Sequence, residues 1–246
     1  MSQNGKPPVE SKKNQGDIVE TRSDPSEIDA FLDKVKTMAP AEAAGQRGRL
    51  IFAMDATMSR QPTWDMALGL QAGMFAAVKA VGGLDVQLVY FRGFRECRSS
   101  KWVQDPEELA RLMTKVSCLG GHTQIGKVLT HARKETEQCH VNALVYVGDC
   151  MEEQIDDLAA LAGELGLLGV PAFMFQEGHD VNAETAFREI ATLTRGAWCR
   201  FDAGSAAQLR ELLSAVAVYA SGGRKALADL SETRGGSTRL LLEQLK

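Results

Sequence analysis

The run Leu50-Ile51-Phe52-Ala53-Met54-Asp55-Ala56-Thr57-Met58-Ser59 constrains this chain more than any other stretch. Five consecutive apolar residues after Arg49 suit a strand buried on both faces, and such strands belong to parallel sheets covered by helices. The run then meets an acid and two hydroxyls at alternate positions. A carboxylate at the end of a buried strand needs donors or a cation, because desolvating a bare charge is costly. A short loop would turn Asp55, Thr57 and Ser59 toward one point. Hard oxygen donors of that kind suit Mg²⁺, Mn²⁺ or Ca²⁺, and not zinc or copper. A plainer alternative has Asp55 capping the next helix and the hydroxyls in an ordinary turn.

The rest of the chain alternates in the way a parallel sheet requires. Helical spacing is expected over Pro62 to Val81, stopped by Gly82-Gly83, and a strand over Leu84 to Phe91. Arg92 to Val103 reads as an antiparallel edge strand returning with its charges toward water. Asp105-Pro106-Glu107-Glu108 opens a helix to about Val116. The glycine turn Leu119-Gly120-Gly121-His122-Thr123 leads into a helix from Gln124 to Gln138. Ala143-Leu144-Val145-Tyr146-Val147-Gly148-Asp149 is a second buried strand ending on an acid. Helix Ile155–Leu168, strand Val170–Phe175, helix Ala183–Thr194, strand Ala197–Phe201 and helix Ala206–Tyr219 complete the alternation.

Both ends differ in kind. Residues 1–22 are polar and read as a disordered tail. Residues 23–48 hold a short helix with one apolar stripe (Ile28, Phe31, Leu32, Val35) and a linker after Pro40. Residues 49–220 form the main domain, and 221–246 a helical appendage after Ser221-Gly222-Gly223. The net charge of −4 gives no reason to expect nucleic acid, and no basic stripe stands out. No apolar run is long enough to span a bilayer, and Met1 to Glu20 lacks the apolar segment of a secretory leader. Five scattered cysteines without a CxxC pair signal neither a zinc site nor a disulfide framework. The expected home is the reducing cytoplasm.

Oxygen-bearing residues therefore recur at equivalent places: Asp55, Thr57 and Ser59 after one strand, Thr123 where a glycine turn enters a helix, Asp149 after another strand. Loops at the carboxyl ends of parallel strands flank a crevice where the strand order reverses. If the strands bearing Asp55 and Asp149 are neighbours there, both carboxylates face it. Gly120 and Gly121 would let the Thr123 loop approach closely.

This pattern resembles the von Willebrand factor A-type (vWA) domain with a metal-ion-dependent adhesion site (MIDAS), whose signature is Asp-x-Ser-x-Ser, then a distant Thr, then a distant Asp. Here the first loop is Asp55-Ala56-Thr57-Met58-Ser59, the Thr is Thr123 and the last Asp is Asp149. The resemblance covers roughly Arg49 to Tyr219. It implies an α/β, three-layer, Rossmann-like fold: a mainly parallel central sheet with one antiparallel edge strand and helices on both faces. It also implies that Ser59, Thr57 and Thr123 touch a divalent ion, Mg²⁺ first and Mn²⁺ or Ca²⁺ as alternatives. Asp55 and Asp149 would act through water or hydrogen bonds. Thr57 stands for the family's first serine, and Cys150 follows Asp149 where the family usually has glycine.

A cation held by neutral hydroxyls stays electron-poor, so a Glu or Asp of a partner protein can fill its open position. The expected function is thus a binding module and not an enzyme, within an ATP-driven or multi-subunit assembly by analogy. The alternatives are a metal-dependent phosphate-ester hydrolase, against which stands the lack of a GxxxxGK[ST] cradle, and a structural module with a degenerate, empty site. His122 and His131 read as surface residues, Met54, Met58 and Met151 as packing, and the acids Glu152, Glu153, Asp156 and Asp157 as neighbours of a helix start.

Overall fold

The computed structural model describes residues 47–78, 83–201 and 206–233. A six-stranded sheet forms the middle layer, with β1 (Gly48–Asp55), β2 (Leu84–Arg92), β3 (Glu96–Val103), β4 (Ala143–Gly148), β5 (Ala172–Glu177) and β6 (Ala197–Phe201). Their spatial order is β3-β2-β1-β4-β5-β6. All neighbouring pairs are parallel except β2 with β3, the antiparallel return expected at the edge. The chain folds outward from β1 in both directions. The order therefore reverses between β1 and β4, with Leu50 opposite Val86 on one side and Ala143 on the other.

Alternation along β1 divides the core in two. Leu50, Phe52 and Met54 pack with α1 (Gln61–Val78), α2 (Pro106–Met113) and α6 (Ala206–Thr233). Ile51 and Ala53 pack with α3 (Ile125–Gln138), α4 (Ile155–Leu167) and α5 (Val181–Leu193). Every residue of β1 from Leu50 to Asp55 is buried, as a strand sandwiched between helical layers must be. A buried Phe or Leu side chain contributes roughly 1.5–3 kcal/mol, so this strand anchors both layers. Trp64 of α1 is buried in the first core, and its indole N–H finds the Met113 carbonyl at 3.2 Å.

The element bounds agree with the expected alternation to within a few residues. Gly48, placed in the linker by the sequence, is the first residue of β1. Asp149 lies one residue beyond β4, in the loop. α6 continues past Tyr219 to Thr233, with a non-helical break at Gly223 (φ 63°, ψ −162°) where the sequence ends the domain. The helix and linker expected within 23–46, the polar tail 1–22 and residues 234–246 lie outside the described residues. Among the described residues, no helix is long and apolar enough to cross a membrane.

Candidate metal centre

The carboxyl ends of β1 and β4 meet at the reversal of strand order, and the loops that leave them line one crevice. Ala56 closes β1 by donating its N–H to the Phe91 carbonyl (2.9 Å), and its own carbonyl accepts from Leu119 N–H (3.0 Å). The chain then turns through a single 3₁₀ turn, Met58–Arg60, pinned by Arg60 N–H on the Thr57 carbonyl (3.0 Å). This tight turn returns the side chains of Thr57 and Ser59 toward Asp55.

Four of the five expected side chains are joined by hydrogen bonds. Asp55 Oδ1 accepts from Thr57 N–H at 2.7 Å. Thr57 Oγ1 lies 3.4 Å from Ser59 Oγ, and Ser59 Oγ donates to Asp149 Oδ2 at 3.0 Å. The remaining carboxylate oxygens, Asp55 Oδ2 and Asp149 Oδ1, are buried and have no hydrogen-bond partner among the described residues. Asp55, Asp149 and Cys150 each offer a ligand atom within 4.8 Å of the others. Two orphaned carboxylate oxygens on one crevice suit a hard cation, so the residues present fit a divalent ion on their own chemistry.

Thr123 is held differently. Its hydroxyl accepts from Glu152 N–H (3.0 Å) while its own N–H donates to Glu152 Oε2 (3.0 Å), a reciprocal latch between the Thr123 loop and the loop after Asp149. That loop is also tied to the β2–β3 turn through His122 N–H on the Gly93 carbonyl (3.1 Å). A Cβ on Gly121 would overlap the Gly93 carbonyl, whereas Gly120 faces open space, so Gly121 alone serves the close approach. Glu153 accepts from the N–H groups of Ile125 and Gly126 (3.0 Å to the latter) and so caps α3, whose own N-cap Gln124 makes no side-chain cap. Glu152 and Glu153 thus serve the start of α3 as well as flanking that of α4; Asp156 and Asp157 lie in the first turn of α4 as expected.

Electrostatics mark the same spot. Burial, above all, pushes the Asp55 carboxyl up to about 6, opposed by its bonds to Thr57 and reinforced by nearby Asp149. Burial and then the same two carboxylates push the Cys150 thiol up to about 12. Burial also drives the Tyr146 phenol well above its ordinary value, and its hydroxyl is without a hydrogen-bond partner among the described residues.

Sequence reasoning missed Arg60, Thr63 and Glu177. Arg60 is 2% exposed. One of its guanidinium nitrogens sits 3.7 Å from Asp149 Oδ2, and another donates to Glu177, which also accepts from the Thr63 hydroxyl. The only signal was a basic residue directly after the loop motif. His122 is exposed, precedes α3 and bonds Glu152 (2.9 Å); His131 is half-buried on α3 against Gln87 (2.8 Å). Met54 is core, but Met58 on the loop is 61% exposed, so packing does not account for it.

No protein-family model matches the sequence, and no curated protein matches it. Solved structures do. The VWA domain of SpRpn10 is 12% identical with a TM-score of 0.53, over 69% of this chain and 95% of that one. Proximal thread matrix protein 1 from the mussel byssus, with a zinc-occupied MIDAS motif, is 14% identical with a TM-score of 0.57, over 74% of this chain and 48% of that one. An aerotolerance-related membrane protein from Bacteroides fragilis is 18% identical with a TM-score of 0.53, over 68% of this chain and 96% of that one. Sheet order, the lone antiparallel edge strand and these likenesses agree: the chain has the fold of a von Willebrand factor A-type domain.

Proposed function

We propose that the chain is a protein-interaction module whose crevice holds a divalent cation, Mg²⁺ in the first place, with Mn²⁺ or Ca²⁺ as substitutes. Asp55, Thr57, Ser59, Thr123 and Asp149 would hold it, and a Glu or Asp of a partner protein would complete its coordination. The observation that carries this reading is the pair of buried, unpartnered oxygens, Asp55 Oδ2 and Asp149 Oδ1, at the reversal of strand order. A partner's carboxylate can join such a cation because three of its five ligands would be neutral hydroxyls, which add no negative charge to repel it. The role is binding and not catalysis. Its setting would be a multi-subunit assembly in a reducing cytoplasm, consistent with five free thiols.

A second reading concerns the metal. Cys150 stands in the donor cluster, and a thiol with two carboxylates suits Zn²⁺ better than Mg²⁺. Binding would then release the thiol proton, since the free thiol is fully protonated at neutral pH.

The test is a metal panel read by thermal unfolding. A ligand that binds only the folded state raises its stability, by about 2.7 kcal/mol at a hundredfold excess over Kd. Mg²⁺ should raise Tm in the native chain and leave Asp55→Ala unmoved; equal shifts in both proteins would sink the site. Cys150→Ser separates the two metals, because it should spare Mg²⁺ and weaken Zn²⁺. A pull-down in Mg²⁺ against EDTA then tests for the acidic partner.

A further inference from the structure

We propose that Arg60 is a tethered cation that balances the crevice while no divalent ion is bound, and that its presence keeps divalent affinity low. The inference rests on the metal-centre reading above.

The guanidinium leaves the same 3₁₀ turn that carries Thr57 and Ser59, and its side chain is 3% exposed. A buried guanidinium persists only where its charge is met. Here it is met from two sides. Asp149 Oδ2 lies at 3.7 Å, and Glu177 at the end of β5 accepts its other nitrogen while also accepting from Thr63. Arg60 therefore bridges β5 to the very carboxylate offered to the metal. Asp149 then divides its oxygens: Oδ2 serves Ser59 and Arg60, and Oδ1 is left for an incoming cation.

Charge counting shows what this does. Asp55, Asp149 and Glu177, when ionised, set three negative charges against one guanidinium. The remainder is two, the charge of one divalent ion. Without Arg60 the remainder is three, and the guanidinium that faces Asp149 is gone. Because Asp55 and Arg60 are both almost fully buried, repulsion between the guanidinium and a cation held by Asp55 is screened little, and the divalent ion must bind against Arg60.

The experiment titrates Mn²⁺ into the full chain by calorimetry, and measures Tm in EDTA, for the native protein, Arg60→Gln and Arg60→Lys. Arg60→Gln should bind Mn²⁺ at least tenfold more tightly than native, melt lower in EDTA, and gain more from the metal. Arg60→Lys keeps the charge and should stay within about threefold of native affinity. Since Arg60→Gln leaves Glu177 without its counter-charge, Arg60→Gln/Glu177→Gln, whose remainder is again two, is titrated alongside and should bind between native and Arg60→Gln. A folded Arg60→Gln protein with affinity equal to or below native would overturn the inference while leaving the metal centre standing. Failure of the native chain and all variants to take up Mn²⁺ would remove the metal centre, and the inference with it.

Discussion

The carboxyl of Asp55 sits 1% exposed at the end of a strand, raised to about 6 chiefly by burial. In the unfolded chain it titrates near the ordinary 3.8. Between those two values the folded state binds more protons than the unfolded one, so metal-free stability falls as pH rises through that window and stays lower above it. Asp55→Asn removes the charge while its amide oxygen can still accept the Thr57 N–H. In EDTA at pH 7 the variant should therefore be more stable than native, by at most about 3 kcal/mol for roughly two pKa units, with a flatter profile between pH 4 and 6. Urea unfolding across that range checks it; an Asn variant weaker than native at pH 7 would contradict the electrostatic account. The same residue illustrates what a sequence reveals. Asp55, Thr57, Ser59 and Asp149 were legible because each follows a recognisable buried strand within a few residues. Arg60 was not: its partner Glu177 lies 117 positions away, and only the sheet order β1-β4-β5 brings the two together.

At the scale of elements, the loops around the crevice are held by backbone contacts that can be broken one at a time. Gly121 approaches the Gly93 carbonyl so closely that Gly121→Ala forces the Thr123 loop away from the β2–β3 turn. Overpacking of that kind costs about 1–3 kcal/mol, and divalent affinity should fall with it. Gly120→Ala, one residue earlier and facing open space, is the control and should be near neutral in both respects. The start of α3 offers a parallel case. Glu153→Ala strips the acceptors from Ile125 and Gly126 and should cost about 1–2 kcal/mol, as loss of a helix cap does. Exposed Asp156→Ala in the first turn of α4 should cost a few tenths. Chemical denaturation of the four variants decides both comparisons. Sequence reasoning found the acids near a helix start but not that Glu153 caps α3. Helix periodicity locates a helix from its own residues, whereas this cap comes from another element, 28 positions on.

Across the whole molecule, the two ends of the sheet perform separable tasks. The carboxyl ends of β1 and β4 carry the crevice. At the other end, Gly48 opens β1 under the middle of α6, just before its break at Gly223, where any Cβ would overlap the Ala220 carbonyl. The same corner is tied by Gly48 N–H on the Gly83 carbonyl (3.2 Å) and by the Ser221 hydroxyl on that same oxygen (2.5 Å). Eight residues of strand at about 3.3 Å each separate it from Asp55 by roughly 23 Å, well beyond the distance at which substitutions couple. Gly48→Ala should therefore lower stability by about 1–3 kcal/mol, yet leave Mn²⁺ affinity unchanged at temperatures where the variant is folded. Combined with Arg60→Gln, its stability cost should add to that of the arginine change within about 0.5 kcal/mol. Calorimetric titration and urea unfolding of both single variants and the double provide the measurement. A Gly48→Ala protein that is folded but binds Mn²⁺ severalfold more weakly would mean that α6 transmits strain along β1 into the crevice, and that the two ends form one device.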